Sequence, residues 1–380
     1  MDARTWFTPK QKAELLERSV RALWEHANPN RIAAVPIPAM SRSVTDIGGR
    51  NATGLEVDMK WPAFAVTLAA VASIGTATLA QDAWPTKAVV VVVPFAAGGN
   101  TDVLARIFAE RLSARLRQQF VIENRAGGGG TTGVAYMTKS AADGYTLGVA
   151  TTAGLASNAV IMKEKLGYNA ERDVAYLYNM ATQPNLLVAH PSVSAKTLPE
   201  LIAWLKANPK TPYATSGIGS SQHICGEMLA QRAGLEMSAV AYRASNLQMQ
   251  DLIAGHIKLA CDNFSTAWEQ VKAGNARAIA IGSPQRYSFS PDVPTFAESL
   301  PGFEVLSAFG WIGPAGLDKA IVTKIIAELS AIGQEPEVKM RLTALGVEPS
   351  ALNGEGFAAY MRSERERLAS IVDKAGITAP

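Results

Sequence analysis

From Ala88 onward, runs of β-branched apolar residues alternate with segments of helical period, and this rhythm restricts the chain to an α/β fold built from βαβ units. The clearest run is Ala88–Val93. Its unbroken valines have no polar face, which predicts a strand covered on both sides, as in a parallel sheet. Pro94-Phe95-Ala96-Ala97-Gly98-Gly99-Asn100 then turns the chain, and Thr101 or Asp102 is placed to cap a helix carrying Val103, Leu104, Ile107, Phe108 and Leu112 on one side. A strand at Phe120–Glu123, a loop at Gly127–Gly130, a helix at Gly133–Ala141 and a strand at Tyr145–Ala150 continue the alternation.

After a strand-like Asn185–Ala189 and the break at Pro191-Ser192, the rhythm restarts. Helices are expected at Leu198–Ala207, Gln222–Ala233, Leu247–Ala254 and Ala267–Ala273, and strands at Pro212–Thr215, Ala239–Tyr242, Ile257–Cys261 and Ala276–Ile281. A strand over Glu304–Gly313 precedes three helical segments, Asp318–Ile332, Pro336–Leu345 and Gly354–Ala375, which could return to the first lobe. Residues 84–190 with 306–380 would form lobe 1, and 191–305 an inserted lobe 2, joined by two crossovers near 190 and 305. That is the architecture of a bilobal binding protein that closes on its ligand about a hinge.

The chain has 380 residues, 18% of them charged, and a formal net charge of +3 spread without a block of like charges, so it lacks the footprint of a nucleic-acid binder. Met59-Lys60, an apolar stretch from Trp61 to Ala72 and small residues through Ala80 read as a secretory signal peptide over 59–80. Residues 1–58 precede it, which is no place for such a segment; translation is expected to begin at Met59, with 1–58 a mis-assigned extension. A buried or membrane-anchoring helix behind a cytoplasmic extension is the alternative. The two cysteines, Cys225 and Cys261, would form a disulfide in an oxidising compartment, or remain a free buried pair. Zinc-ligand spacing is absent, and neither a metal nor a cofactor is expected.

The loop Gly98-Gly99-Asn100-Thr101 lies at the carboxyl end of a strand and the start of a helix, where open α/β sheets bind ligands. Glycines let the backbone approach a ligand, and free helix N–H groups favour an anion. Ser216-Gly217-Ile218-Gly219-Ser220-Ser221-Gln222-His223 repeats that arrangement in the second lobe, and Asp262-Asn263 ends another strand toward the same cleft. Each is equally ordinary turn and cap chemistry when taken alone. Gly128, Gly130 and Gly133 satisfy G-x-G-x-x-G, but inside a glycine run and without the acidic residue about 20 positions on. His223 near Ser220 and Ser221 lacks an evident third partner for a triad.

Pro94-Phe95-Ala96-Ala97-Gly98-Gly99-Asn100-Thr101-Asp102, Glu123-Asn124-Arg125-Ala126-Gly127, Asp143-Gly144-Tyr145-Thr146-Leu147, and Val240-Ala241-Tyr242-Arg243 before Asp251-Leu252-Ile253-Ala254-Gly255 resemble the successive motifs of the Bug (TctC-type) receptors of tripartite tricarboxylate transporters. The resemblance covers about residues 84–380. Ala244 departs from it where glycine is common, and Ala126 where proline is. It implies an α/β, two-lobed periplasmic-binding-protein (Venus flytrap) fold with two hinge crossovers, acting as a monomeric periplasmic receptor that hands a small carboxylate ligand to integral-membrane transporter subunits. No catalysis is implied. Phe95, Gly98, Gly99, Asn100, Thr101, Thr151 and Thr152 would hold the ligand from lobe 1, and Ser216, Ser220, Ser221, His223 and Asp262 from lobe 2. The competing class is a dinucleotide- or Ser-dependent α/β enzyme. Replacing Ser220 and Ser221 together by alanine is expected to weaken binding with the fold intact.

Overall fold

The computed structural model describes residues 84–375 and Ile377; the extension at 1–58 and the signal segment at 59–80 lie outside them. Ten strands form one curled sheet: β1 (Val89–Val93), β2 (Phe120–Asn124), β3 (Thr146–Thr151), β4 (Val174–Ala189), β5 (Thr211–Thr215), β6 (Met237–Ala241), β7 (Leu259–Asn263), β8 (Arg277–Ile281), β9 (Leu306–Pro314) and β10 (Glu348–Pro349). The main helices are α1 (Asn100–Leu116), α2 (Thr131–Thr138), α3 (Leu198–Ala207), α4 (Ser221–Ala233), α5 (Ser245–Ile253), α6 (Phe264–Lys272), α7 (Lys319–Gln334), α8 (Pro336–Ala344) and α9 (Gly354–Ala375). Short helical turns fill Ala153–Ile161.

The strand order β2-β1-β3-β9-β4-β7-β5-β6 separates two parallel triplets by a pair of antiparallel strands. β1 pairs in parallel with β2 and β3, and β5 in parallel with β6 and β7. Between them β4 is shared. Up to Pro184 it runs antiparallel to β9, and from Asn185 to Ala189 it runs antiparallel to β7. The return crossing is stitched beside that switch, where Asn185 N donates to Val305 O at 3.1 Å, Gly282 N to Asn185 O at 2.7 Å and Val305 N to Gly282 O at 2.9 Å.

Valine burial in β1 is as its sequence requires, since Val89, Val91, Val92 and Val93 are all buried and feed cores on both faces of the first half-sheet. One of these cores receives Leu104 and Phe108 from α1, Ile325 and Leu329 from α7 and Val338 from α8. Helices α7 and α8 thus return to the first half. Helix α9 does so only with its first turns: Phe357 and Met361 enter a core of the first half, whereas Leu368 and Val372 enter one of the second. Cys225 on α4 and Cys261 on β7 form a disulfide with a Cα separation of 6.2 Å, inside the usual range. Among the described residues no helix is long and apolar enough to cross a membrane.

Candidate functional site

Helix α1 begins one residue before Thr101, with Gly99 as its N-cap and no side-chain cap. Thr101 and Asp102 therefore lie inside the first turn instead of capping it. Asp102 reaches back to the loop: its Oδ2 accepts from Gly98 N at 3.0 Å and from Arg106 Nε at 2.8 Å, and its Oδ1 accepts from Asn124 Nδ2 at 2.9 Å. Asn124 Nδ2 also donates to Phe95 O at 2.9 Å, so the end of β2 fixes the other end of the same loop. Burial works to raise the Asp102 pKa, but Arg106, the Gly98 amide and Asn124 together hold it below the usual carboxylate range. The first intrahelical bond runs from Val103 N to Gly99 O, which leaves the preceding first-turn N–H groups without helical partners.

In the second half, Gly217 and Gly219 take φ values of 103° and 72°, which glycine adopts without strain. Ser220 caps α4, its hydroxyl accepting from His223 N at 3.2 Å. The His223 ring turns to the loop, where Nδ1 accepts from Gly219 N at 3.3 Å, and Nε2 stands 3.8 Å from Glu227. Burial pushes its pKa down, against the opposing pull of Glu227. Among the described residues the ring makes no hydrogen bond to the Ser220 or Ser221 hydroxyl, and its contact with Gly219 N shapes the loop.

Asp262 lies at the centre of the second half, fully buried. Its Oδ1 accepts from Gln222 Nε2 at 3.1 Å, Ser245 Oγ at 2.9 Å and Asn263 N at 2.7 Å. These donors belong to the starts of α4, α5 and α6, whose N-caps are Ser220, Ala244 and Asn263. One carboxyl group ties three helix N-termini together. Burial pushes its pKa up, against those hydrogen bonds.

Gly99 of α1 and the caps of these three helices meet around one narrow cavity of about 20 Å³. Of the residues expected from the sequence, Phe95, Gly99, Asn100, Thr101, Thr151, Ser216, Ser220 and Ser221 line it. Gly98, Thr152, His223 and Asp262 do not. Gly98 donates to Asp102 behind the loop, Thr152 Oγ1 accepts from Ala308 N at 2.9 Å, and His223 and Asp262 support the wall from beneath. The walls also include Ala153, Gln222, Ala244, Ser245, Asn263, Ser307 and Phe309. Ser307 and Phe309 were hidden because β9 read only as a strand, with no signal for which face meets the cleft; Ala244 and Ser245 lacked a capping signature.

Among the described residues no charged side chain lines the cavity. Four helix N-termini supply positive potential without one, each equivalent to roughly half an elementary charge at most. Among the described residues, Asn100 Nδ2, buried in the wall, has no hydrogen-bond partner, and neither does Asn263 Oδ1. The two halves touch around this space: the Ser221 and Ser307 hydroxyls lie 2.5 Å apart, Ser265 Oγ donates to Asn100 Oδ1 at 2.8 Å, and Ala96 N donates to Arg243 O at 3.2 Å. Since Ser220 is a buried N-cap, its replacement by alanine is expected to cost about 0.5–2 kcal/mol of stability while the fold persists. The G-x-G-x-x-G reading also has a structural explanation. A methyl group at Gly133 would stand 2.8 Å from Pro94 Cα and 3.0 Å from Arg125 O, so the third glycine serves the packing of α2 against the β1 loop.

Residues 104–377 match the family model described as tripartite tricarboxylate transporter family receptor. A solved structure from R. palustris, described with adipate, is similar at 32% identity and a TM-score of 0.74, covering 78% of this chain and 99% of its own. The periplasmic binding protein BugD is 30% identical with a TM-score of 0.74, over 78% of this chain and 99% of BugD. MatC from Rhodopseudomonas palustris, with bound malate, is 29% identical with a TM-score of 0.73, over 76% of this chain and all of that one (100%). The α/β architecture, with β4 and the 282–305 crossing joining its halves, is the two-lobed fold of these binding proteins. The motifs, the fold and the matched length agree: the chain belongs to the TctC (Bug) family of solute-binding receptors, which is not a family of enzymes.

Proposed function

We propose that this chain is an exported, monomeric periplasmic receptor that captures a small organic carboxylate between its lobes and delivers it to the integral-membrane subunits of a tripartite tricarboxylate transporter. The observation that carries the reading is the uncharged cavity on which the N-termini of α1, α4, α5 and α6 converge. Such a site suits a carboxylate: backbone N–H groups and hydroxyls are donors in place, and helix dipoles favour negative charge. The similar proteins described with adipate and with malate support the ligand class.

In this reading the ligand is held by Phe95, Gly99, Asn100, Thr101 and Thr151 from one side and by Ser216, Ser220 and Ser221 from the other, with Gly98, Thr152, His223 and Asp262 positioning them. The lobes are 84–190 with 306–380, and 191–305. Strand β4 changes partner at Pro184-Asn185 and helix α9 packs into cores of both halves, which supports crossovers near 190 and 305 built from segments that serve both lobes. Contacts drawn from both lobes exist only when the lobes meet, and that difference is what allows a ligand to drive closure.

A thermal-shift screen of the mature chain against mono-, di-, tri- and aromatic carboxylates, with NAD as control, tests the reading. A ligand at a hundred times its dissociation constant stabilises by about 2.7 kcal/mol. The expected outcome is a selective rise with one carboxylate class, reduced in Ser221→Ala. A rise with NAD alone would revive the dinucleotide enzyme.

A further inference from the structure

Asp262 is a buried acid without a cation. It has no accessible surface, and among the described residues only neutral groups donate to it. The titratable groups on the elements packed against it are committed elsewhere. His223 on α4 stands 3.8 Å from Glu227, and Glu227 accepts from the Tyr213 hydroxyl of β5 at 2.6 Å. Asp251 on α5 accepts from the Tyr242 hydroxyl at 2.8 Å and stands 3.5 Å from His256, and Glu269 and Lys272 on α6 pair with each other at 2.6 Å. Strand β4 sets Leu186 opposite Asp262. Within the carboxyl group the load is uneven: Oδ1 accepts three hydrogen bonds, whereas Oδ2 has no partner among the described residues. Beside it, the fully buried carboxamide of Gln248 on α5 is unsatisfied at both its nitrogen and its oxygen. A carboxamide can serve either state of such a neighbour, since Nε2 donates to an ionised Oδ2 and Oε1 accepts from a protonated one.

The three donors to Oδ1 belong to Gln222, Ser245 and Asn263, and all three of these residues line the cavity at the helix N-termini. One set of helix ends therefore faces two acids, Asp262 behind the wall and the ligand in front of it. Resting on the carboxylate reading, we infer that an acid entering the cavity brings a proton from solvent onto Asp262 Oδ2, which donates it to Gln248 Oε1. Like charges one side chain apart in a water-poor interior disfavour each other's ionised form. Burial already pushes Asp262 toward its neutral form, against its hydrogen bonds. The coupling is reciprocal: the acid raises the proton affinity of Asp262, and an ionised Asp262 lowers the affinity for the acid. Binding is therefore tighter at lower pH, and release of the acid returns the proton to solvent.

Calorimetry with the tightest-binding acid of the carboxylate screen, in buffers of different ionisation enthalpy from about pH 6 to about pH 9, where carboxylic acids are ionised in water, tests the inference. The wild type should take up as much as one proton per acid bound, and its affinity should fall by up to about tenfold per pH unit over the interval of uptake. Asp262→Asn keeps the shape and offers Gln248 Oε1 a permanent donor, so it should bind with no uptake and a flat pH profile. His223→Gln should retain the uptake, which separates Asp262 from the imidazole near the same loop. Without any substitution, the bound-minus-free infrared spectrum of the wild type should gain a protonated-carboxyl band that stays in place when the acid is isotopically labelled at its carboxyl carbons. Binding with no proton uptake, uptake that survives in Asp262→Asn, or a band that moves with the label would each overturn the inference while leaving the carboxylate receptor standing. No binding of any acid in the screen would overturn both.

Discussion

At the residue scale, the loop that presents the α1 N-terminus depends on Asp102. Its carboxyl group is nearly inaccessible while its partner Arg106 is half exposed, so the ion pair itself contributes little and the bonds from Gly98 N and Asn124 Nδ2 carry the effect. Asp102→Ala should cost about 1–3 kcal/mol, the usual range for bonds to a buried charged acceptor, and should also weaken carboxylate binding by loosening Gly98-Gly99. Its folded pKa lies below the usual value, so its stabilising contribution is present above the unfolded carboxylate range and is lost as pH falls through the lowered folded value. Urea unfolding of wild type and Asp102→Ala in parallel should give a stability difference that narrows at acid pH. A difference constant with pH would contradict this role. Asp262 works in the opposite sense: its raised pKa means that ionising it costs folding energy as pH rises from the unfolded value through the folded one.

At the element scale, α4 is held to β7 by Cys225–Cys261, one turn from the Ser221 wall and next to Asp262. Closing a loop of this size stabilises by about 2–4 kcal/mol in the chain-entropy model, so reduction should lower the melting temperature and weaken ligand binding together, as read by calorimetry with and without reductant; unchanged affinity in the reduced, folded protein would separate the disulfide from the site. This is also the scale at which the sequence was most legible. Helix Leu198–Ala207 begins at a capping threonine with proline at its start, and both of its expected ends match the structure. The glycine and serine loops at 98–101 and 216–221 announced their place at strand ends, and most of their residues do line the cavity. The first half of β4 was not legible. It is buried along almost its whole length, so Val174–Gln183 shows no alternation, and Pro184 reads as a terminator although it marks the change of partner. Which residues of β9 and α5 face the cleft depends on register and on how the two halves meet, and neither is written in local periodicity.

At the scale of the whole molecule, the halves meet through glycine. A methyl group added at Gly129 would stand 2.1 Å from Ile218 O, and one added at Gly217 would stand 2.9 Å from Gly129 N. Gly129→Ala should therefore keep each half folded but prevent this approach, lowering carboxylate affinity by at least about tenfold, the consequence of biasing the pre-equilibrium by about 1.4 kcal/mol or more against the competent state. Small-angle scattering in saturating ligand should give a larger radius of gyration than wild type. An affinity equal to wild type would show that the two loops need not touch in the bound state. In the proposed reading, closure depends on this glycine contact as well as on the polar groups at the cavity.

The most direct test of the central claim, that an uncharged cavity selects an anion by helix N-termini, is calorimetry of the best-binding acid against its primary amide. The two have the same shape and differ in charge and in acceptor strength. The account predicts that the amide binds at least about 30-fold more weakly, since hydrogen bonds to a charged acceptor contribute roughly 1 kcal/mol more each than those to a neutral one and two or more are replaced. Equal affinity for acid and amide would contradict it.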